Sequence, residues 1–183
     1  MRAIRFVADV ATAEDEVTLS VRGGALAADP AQDALLAAVL DRRGVGRLGL
    51  GVVRGFGLRE GAFASTISFD TSDLVAIGAS PEALAAAVRR AVELRGGLVV
   101  ADGAGRVRAE LALPLGGVIS PLSVRDLAAR LEAIQGAARE LGCPLRSPLL
   151  TLETLTFAAI PALRLTSQGL LHVKSRRYLP PLL

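Results

Sequence analysis

One stretch constrains the fold of this chain more than any other: Arg47 to Gly78, read RLGLGVVRGFGLREGAFASTISFDTSDLVAIG. It reads as three consecutive strands joined by tight turns. In the first of them Gly49, Gly51, Gly55 and Gly57 share one parity with only Val53 between them, and Leu48, Leu50, Val52, Arg54, Phe56 and Leu58 take the other. Successive side chains of a strand point to opposite faces. One face is therefore apolar and the other nearly bare backbone, open to close approach. A tightly packed helix is the plainer occupant. A ligand or a partner's loop is the other, and on that reading these four glycines face it.

A chain of 183 residues fits one domain, residues 1–183. Hydrophobic residues make up 51% and aromatics only 3%, without Trp, so the core must be Leu, Val, Ile and Ala. The formal charge of +3 is mildly basic. Nucleic-acid partners demand clustered cations and stacking aromatics. Here the arginines are dispersed, with one cluster at Lys174, Arg176 and Arg177, so no nucleic-acid partner is expected. Cys143 is the only cysteine, which forbids an intrachain disulfide. No apolar run has the length of a membrane span, and the first residues lack a secretory signal. The expected setting is cytoplasmic, with no membrane partner.

Taken in order, Ile4 to Val10 and Glu16 to Arg22 read as strands around a polar turn. Asp29-Pro30 reads as the start of a helix, an N-cap followed by a first-turn proline. Leu35, Leu36, Val39 and Leu40 would be its stripe, and Gly44 its stop. Ser80-Pro81-Glu82 repeats that grammar and predicts a second helix with the stripe Leu84, Val88 and Val92. Leu98 to Ala101 and Val107 to Leu113 form a hairpin. LPLGGVIS, Leu113 to Ser120, reads as a loop beneath the next helix. Ser123 and Asp126 make a capping-box-like pair at the head of a helix with apolar positions Val124, Leu127, Leu131, Ile134 and Leu141. Ser147 to Ile160 reads equally as strand or short helix, and Leu163 to Val173 as two strands. The fold class is α+β: a mostly antiparallel sheet with about three helices packed on one face.

Motifs for chemistry are sparse. His172 is the only histidine, and one histidine with one distant cysteine cannot make a typical zinc site. No phosphate loop, nucleophile elbow or dinucleotide fingerprint is present. One constellation remains: Asp70 and Asp73, with Thr71 and Ser72 between them, at a break between strands. Paired carboxylates can bind a metal or move protons. The same residue types are ordinary turn formers. Asp70 and Asp73 are the catalytic candidates, and no residue is assigned as a metal ligand.

RRGVGRLGLGVVRGFGLREGAFASTISFDTSDLVAIG, LALPLGGVIS and LGCPLRSPLLTLETLTFAAIPALRLTSQGLLHV together resemble the C-terminal domain of bacterial adenine deaminases. The resemblance runs from about Ile4 to the end. It implies an accessory domain whose family partner is an amidohydrolase barrel, where a divalent metal supports hydrolysis of adenine to hypoxanthine. No cofactor is implied for this chain itself. Where the family commonly reads A-H-D-S-H-N, this chain reads Ser68-Phe69-Asp70-Thr71-Ser72-Asp73. Both histidine positions, now Phe69 and Ser72, lack imidazole. Phe69 and Ser72 therefore join the glycines as ligand- or partner-facing positions, with Phe69 turning a polar wall into core or interface.

The resulting expectation is a non-catalytic subunit or remnant that pairs with a separate barrel. A purine-like binding module over the Gly49 to Gly57 face is the alternative. The apolar tail, Tyr178 to Leu183, adds the expectation of a homo-oligomer with its interface at the tail or near Phe69.

Overall fold

The computed structural model describes residues Met1–Leu183. The chain opens with strands β1 (Arg2–Phe6) and β2 (Thr12–Glu16) and a small ribbon of β3 (Val21–Arg22) and β4 (Ala25–Leu26). A 3-10 turn at Pro30–Gln32 leads into β5 (Leu35–Leu40), β6 (Leu48–Arg54), β7 (Ala62–Ser65) and β8 (Leu74–Gly78). Helix α1 (Pro81–Glu93), the hairpin of β9 (Gly97–Ala101) and β10 (Val107–Ala112), and helices α2 (Val124–Glu140) and α3 (Pro148–Thr154) follow. Strands β11 (Leu163–Thr166), β12 (Gly169–His172) and β13 (Arg177–Leu179) close the chain as a separate antiparallel sheet.

The main sheet has eight strands in the order β10-β9-β7-β8-β5-β6-β1-β2. Every pair is antiparallel except β1 with β6. The fold is α+β, with three helices on a mostly antiparallel sheet. The helices divide between the faces. Helix α1 packs Ala83, Ala87 and Ala91 on Ala62, Ala64 and Ala76. On the opposite face, Ile134 of α2, Leu152 of α3 and Leu163 and Leu165 of β11 join Val39, Val75, Ile77 and Leu98 in the larger core. No helix is long and apolar enough to cross a membrane.

The helix predicted from Asp29 is instead one 3-10 turn and a central strand. Asp29 does cap, accepting from the amides of Ala31 and Gln32. Asp33 then turns left-handed at φ 51° and ends the helix after one turn. Its carboxylate accepts the amides of Gly55 (2.6 Å) and Gly57 (2.8 Å), pinning β5 to the end of β6. LLAAVL is apolar toward both faces, as a strand buried between two others must be. A short apolar run of that kind has no periodicity to separate it from helix. Near the N-terminus the acidic run Thr12 to Glu16 is a strand, not a turn. It forms the sheet's outer edge, where charged side chains discourage further pairing. In α1 the buried stripe lies one residue before the expected one, leaving Val92 62% exposed, because alanines let the helix sit close to an alanine-lined sheet. In α2, Ser123 accepts from the Asp126 amide as expected, and Leu127, Leu131, Ile134 and Leu141 turn to the larger core, but Val124 is exposed. The tail is tied down more than its prolines suggest: β13 pairs with β12, and the Pro181 carbonyl accepts from the Arg2 amide at 2.9 Å.

The glycine face of β6 is packed, as the plainer reading expected, and it is the inner one. Gly49 and Gly51 pair with Val39 and Ala37, which point into the larger core. Leu48 and Leu50, on the other parity, are 54% and 59% exposed. What fills the glycine face is the hairpin of β11 and β12, not a helix. A side chain at Gly49 would strike the Thr166 carbonyl, and one at Gly51 would lie 3.2 Å from the Leu165 Cδ1. Gly55 and Gly57 lie beyond the end of the strand with positive φ, against the Phe6 carbonyl and the Pro144 ring, so they do not continue that face.

This geometry ranks three substitutions. Gly49→Ala forces backbone apart and should cost about 1–3 kcal/mol, the usual range for overpacking. Gly51→Ala meets only a flexible leucine tip and should cost less. Gly103→Ala, facing the end of the Glu60 side chain, should melt close to wild type. Thermal melts of the three variants check the order; equal melting of Gly49→Ala and Gly103→Ala would mean that the hairpin is not seated on β6.

Candidate functional site

The candidate carboxylates lie in the connection from β7 to β8. Its backbone is wound tightly: Asp70 and Ser72 have φ of 71° and 50°. The Ser72 amide donates to the Ser68 carbonyl at 3.0 Å, the Ser68 hydroxyl donates to the Asp73 carbonyl at 2.9 Å, and the Asp73 amide donates to the Thr71 hydroxyl at 3.2 Å. Side chains that bond nearby backbone are what let Asp, Ser and Thr form such turns. The turn rests on the end of α3. The Phe69 amide donates to the Glu153 carbonyl at 3.1 Å, and the Thr156 hydroxyl donates to the Phe69 carbonyl at 2.8 Å. The Phe69 ring meets Phe157 edge-on, with centroids 5.7 Å apart, and is 38% exposed. Ser72 is half-buried in the turn.

The two carboxylates part company. Asp70 is exposed, whereas Asp73 is fully buried and neither of its oxygens has a hydrogen-bond partner. The neighbours of Asp73 come from β5. Leu40 pairs with Leu74, which brings Asp41 and Asp73 to the same end of the sheet. The Arg43 Nη2 lies 3.0 Å from the Asp41 Oδ2 and 3.9 Å from the Asp73 Oδ1. Hydrogen bonds from the Arg43 side chain and amide hold the Asp41 carboxyl below its ordinary range. Sequence reasoning missed this triad because it placed Asp41 and Arg43 at the end of a helix. Strand pairing is the signal that would have joined Asp41 to Asp73.

Two further ionisable groups are buried nearby. Glu153, in the last turn of α3, has an oxygen without a partner, and burial pushes its carboxyl up to about 7. Arg164 on β11 is fully buried and meets no carboxylate. Its guanidinium donates to the carbonyls of Ile160 (2.7 Å), Thr154 (2.9 Å) and Val10 (2.7 Å), and burial lowers it to about 10. The Thr154 carbonyl is at the C-terminus of α3, where a cation also suits the helix dipole. Arg164 thus ties α3, the N-terminal strands and β11 together.

These groups do not form a metal centre. No three His, Cys, Asp or Glu side chains converge. His172 faces the Ser175 hydroxyl at 2.7 Å and Glu14 at 3.1 Å, and burial pushes the Cys143 thiol up to about 11. Asp41 and Asp73 converge only on a guanidinium. A catalytic divalent ion, which binds through several oxygen or nitrogen donors, does not fit this donor set.

An eight-stranded mixed sheet with α1 on one face and α2, α3 and a small second sheet on the other defines the class. The sequence profile described as the adenine deaminase C-terminal domain matches residues 9–177. The adenine deaminase of Methylobacterium sp. (strain 4-46) is 43% identical over 171 residues, which is 93% of this chain and 30% of that protein. That of Archaeoglobus fulgidus is 43% identical over 150 residues, 81% of this chain and 27% of that protein. That of Bacillus licheniformis is 40% identical over 154 residues, 83% of this chain and 27% of that protein. The chain belongs to the adenine deaminase C-terminal domain family. It spans less than a third of the length of these curated relatives.

Burial of Glu153 sets a pH dependence. Its ordinary value is 4.5 and its folded value about 7. At pH 4 both folded and unfolded chains hold the proton and nothing is lost. As the pH rises through 4.5 the unfolded chain ionises first, so the fold loses stability up to about pH 7 and no further. Glu153→Gln removes this loss. Its melting temperature should match wild type at pH 4, exceed it increasingly up to about pH 7 and hold that lead to pH 8; a constant offset across that range would show that Glu153 titrates normally.

Proposed function

We propose that this domain is the non-catalytic accessory part of an adenine-deaminating assembly. The hydrolytic chemistry in that assembly belongs to a metal-dependent amidohydrolase barrel outside these 183 residues. The observation that carries this reading is the family match, which spans 9–177 here yet accounts for under a third of each relative. The state of the chain's own carboxylates supports it. Asp70 stands alone in solvent, and Asp73 is sealed behind Arg43. Neither is placed to activate water on a substrate, which requires a base within hydrogen-bond reach of the attacking group. The replacement of both family histidines by Phe69 and Ser72 points the same way. The domain's contribution is then to support and close the barrel's site through contact.

Two measurements test the reading. The purified chain, given adenine with Mn²⁺, Fe²⁺ or Zn²⁺, should release no ammonia; metal-dependent release abolished by Asp70→Ala would overturn the proposal. Co-expression with the Methylobacterium adenine deaminase lacking its matched C-terminal stretch should yield a complex with more adenine-deaminating activity than the truncated enzyme alone. Failure of the two to associate would contradict the accessory role.

A further inference from the structure

We infer that the α1 side of the sheet is the docking face for the catalytic part of the assembly. It takes a protein surface with an apolar ridge that presents a carboxylate. This rests on the function proposed above and names the surface through which it works.

On this side α1 covers only β7, β8 and β9. Beyond it, Leu48 and Leu50 stand exposed on β6, beside half-buried Leu40 on β5. The strand pairs Leu48 with Leu40 and Leu40 with Leu74 put these residues on one face. Leu74 and the exposed Val92 then line an open cavity of about 350 Å³ between the end of α1 and the Pro114–Gly117 loop. On that loop Leu115 and Ile119 are 55% and 57% exposed. Exposed apolar side chains of β6, α1 and the loop thus border the cavity in a belt broken by Arg42 and Arg95. Scattered exposed leucines are ordinary, but such a grouping marks an interaction site.

The loop is held rather than loose. The Thr66 hydroxyl donates to the Gly117 carbonyl at 2.6 Å and accepts from the Gly97 amide at 2.8 Å, both buried. The Arg42 guanidinium donates to the Gly116 carbonyl and packs against Gly117. Leu115 and Ile119 exchange backbone hydrogen bonds at 3.3 and 3.1 Å. An anchored loop that presents apolar side chains loses little entropy on binding.

Charge selects the occupant. Arg42 and Arg95 line the cavity, and no carboxylate does. A second copy of this chain in a two-fold contact would bring the same belt, and the same arginines, against themselves, and like charges across an interface disfavour pairing. An acid-bearing surface on a different protein body has the complementary charge. In the Methylobacterium relative 70% of the protein lies outside the matched stretch, so a body larger than this domain accompanies it there.

The test uses the complex of this chain with the truncated Methylobacterium enzyme and reads the dissociation constant by sedimentation. Leu50→Glu and Ile119→Glu should each weaken it by about tenfold or more, the scale of a central interface position. Val107→Glu, an exposed position on β10, should leave it unchanged. Melts of the free variants confirm that each is folded. For any variant that melts early, hydrogen exchange of the wild-type complex replaces it, with protection expected at Leu115–Ile119. Association that the belt variants leave intact, without that protection, overturns the docking face while leaving the accessory role standing. Absence of any wild-type complex overturns both. A free-chain dimer that Leu50→Glu converts to monomer overturns the assignment of the belt to a different protein.

Discussion

The rest of this domain depends on a contact between backbones. At Gly49 the Thr166 carbonyl of the β11–β12 turn lies where a side chain would be, and at Gly51 the Leu165 side chain takes that place. That approach seats the small sheet on the large one. It lets Leu163, Leu165 and Leu170 join Val39, Val53 and Ile77 in one core. With few aromatics available, the core gains density by bringing layers close rather than by filling space with large rings. The same economy recurs where α1 lays alanines on an alanine-lined sheet. Close packing of small side chains gathers dispersion contacts that a wider gap would forfeit.

The approach also decides where polar groups are trapped. Arg164 is on β11, buried as the hairpin closes, and its charge is tolerable because backbone carbonyls surround the guanidinium. Glu153 and Asp73 are buried on the same side without equivalent partners. A buried polar atom without a hydrogen bond costs stability. These acids therefore destabilise the fold.

Much of this was legible in the sequence. The three-strand run from Arg47, the caps at Ser80 and Ser123, the β9–β10 hairpin and the α+β class all follow from local grammar, and the family resemblance follows from motifs in order. Three features were not legible. LLAAVL has no period, so only its neighbours in the sheet could make it a strand. The glycine parity of β6 showed that one face was bare, but not that this face was the inner one. Leucines look like core until strand pairing places Leu48 and Leu50 beyond the reach of α1. The Asp41–Arg43–Asp73 triad depends on pairing of β5 with β8, which no short-range pattern encodes.

With the glycine face closed by the chain's own hairpin, the docking face proposed above is the opposite one. The most direct test of that division is amide hydrogen exchange on the free chain, with and without adenine. Slow exchange is expected across Leu48–Arg54 and Leu163–His172, unchanged by adenine. Rapid exchange of the hairpin that adenine slows would contradict it, because the glycine face would then open to receive a purine.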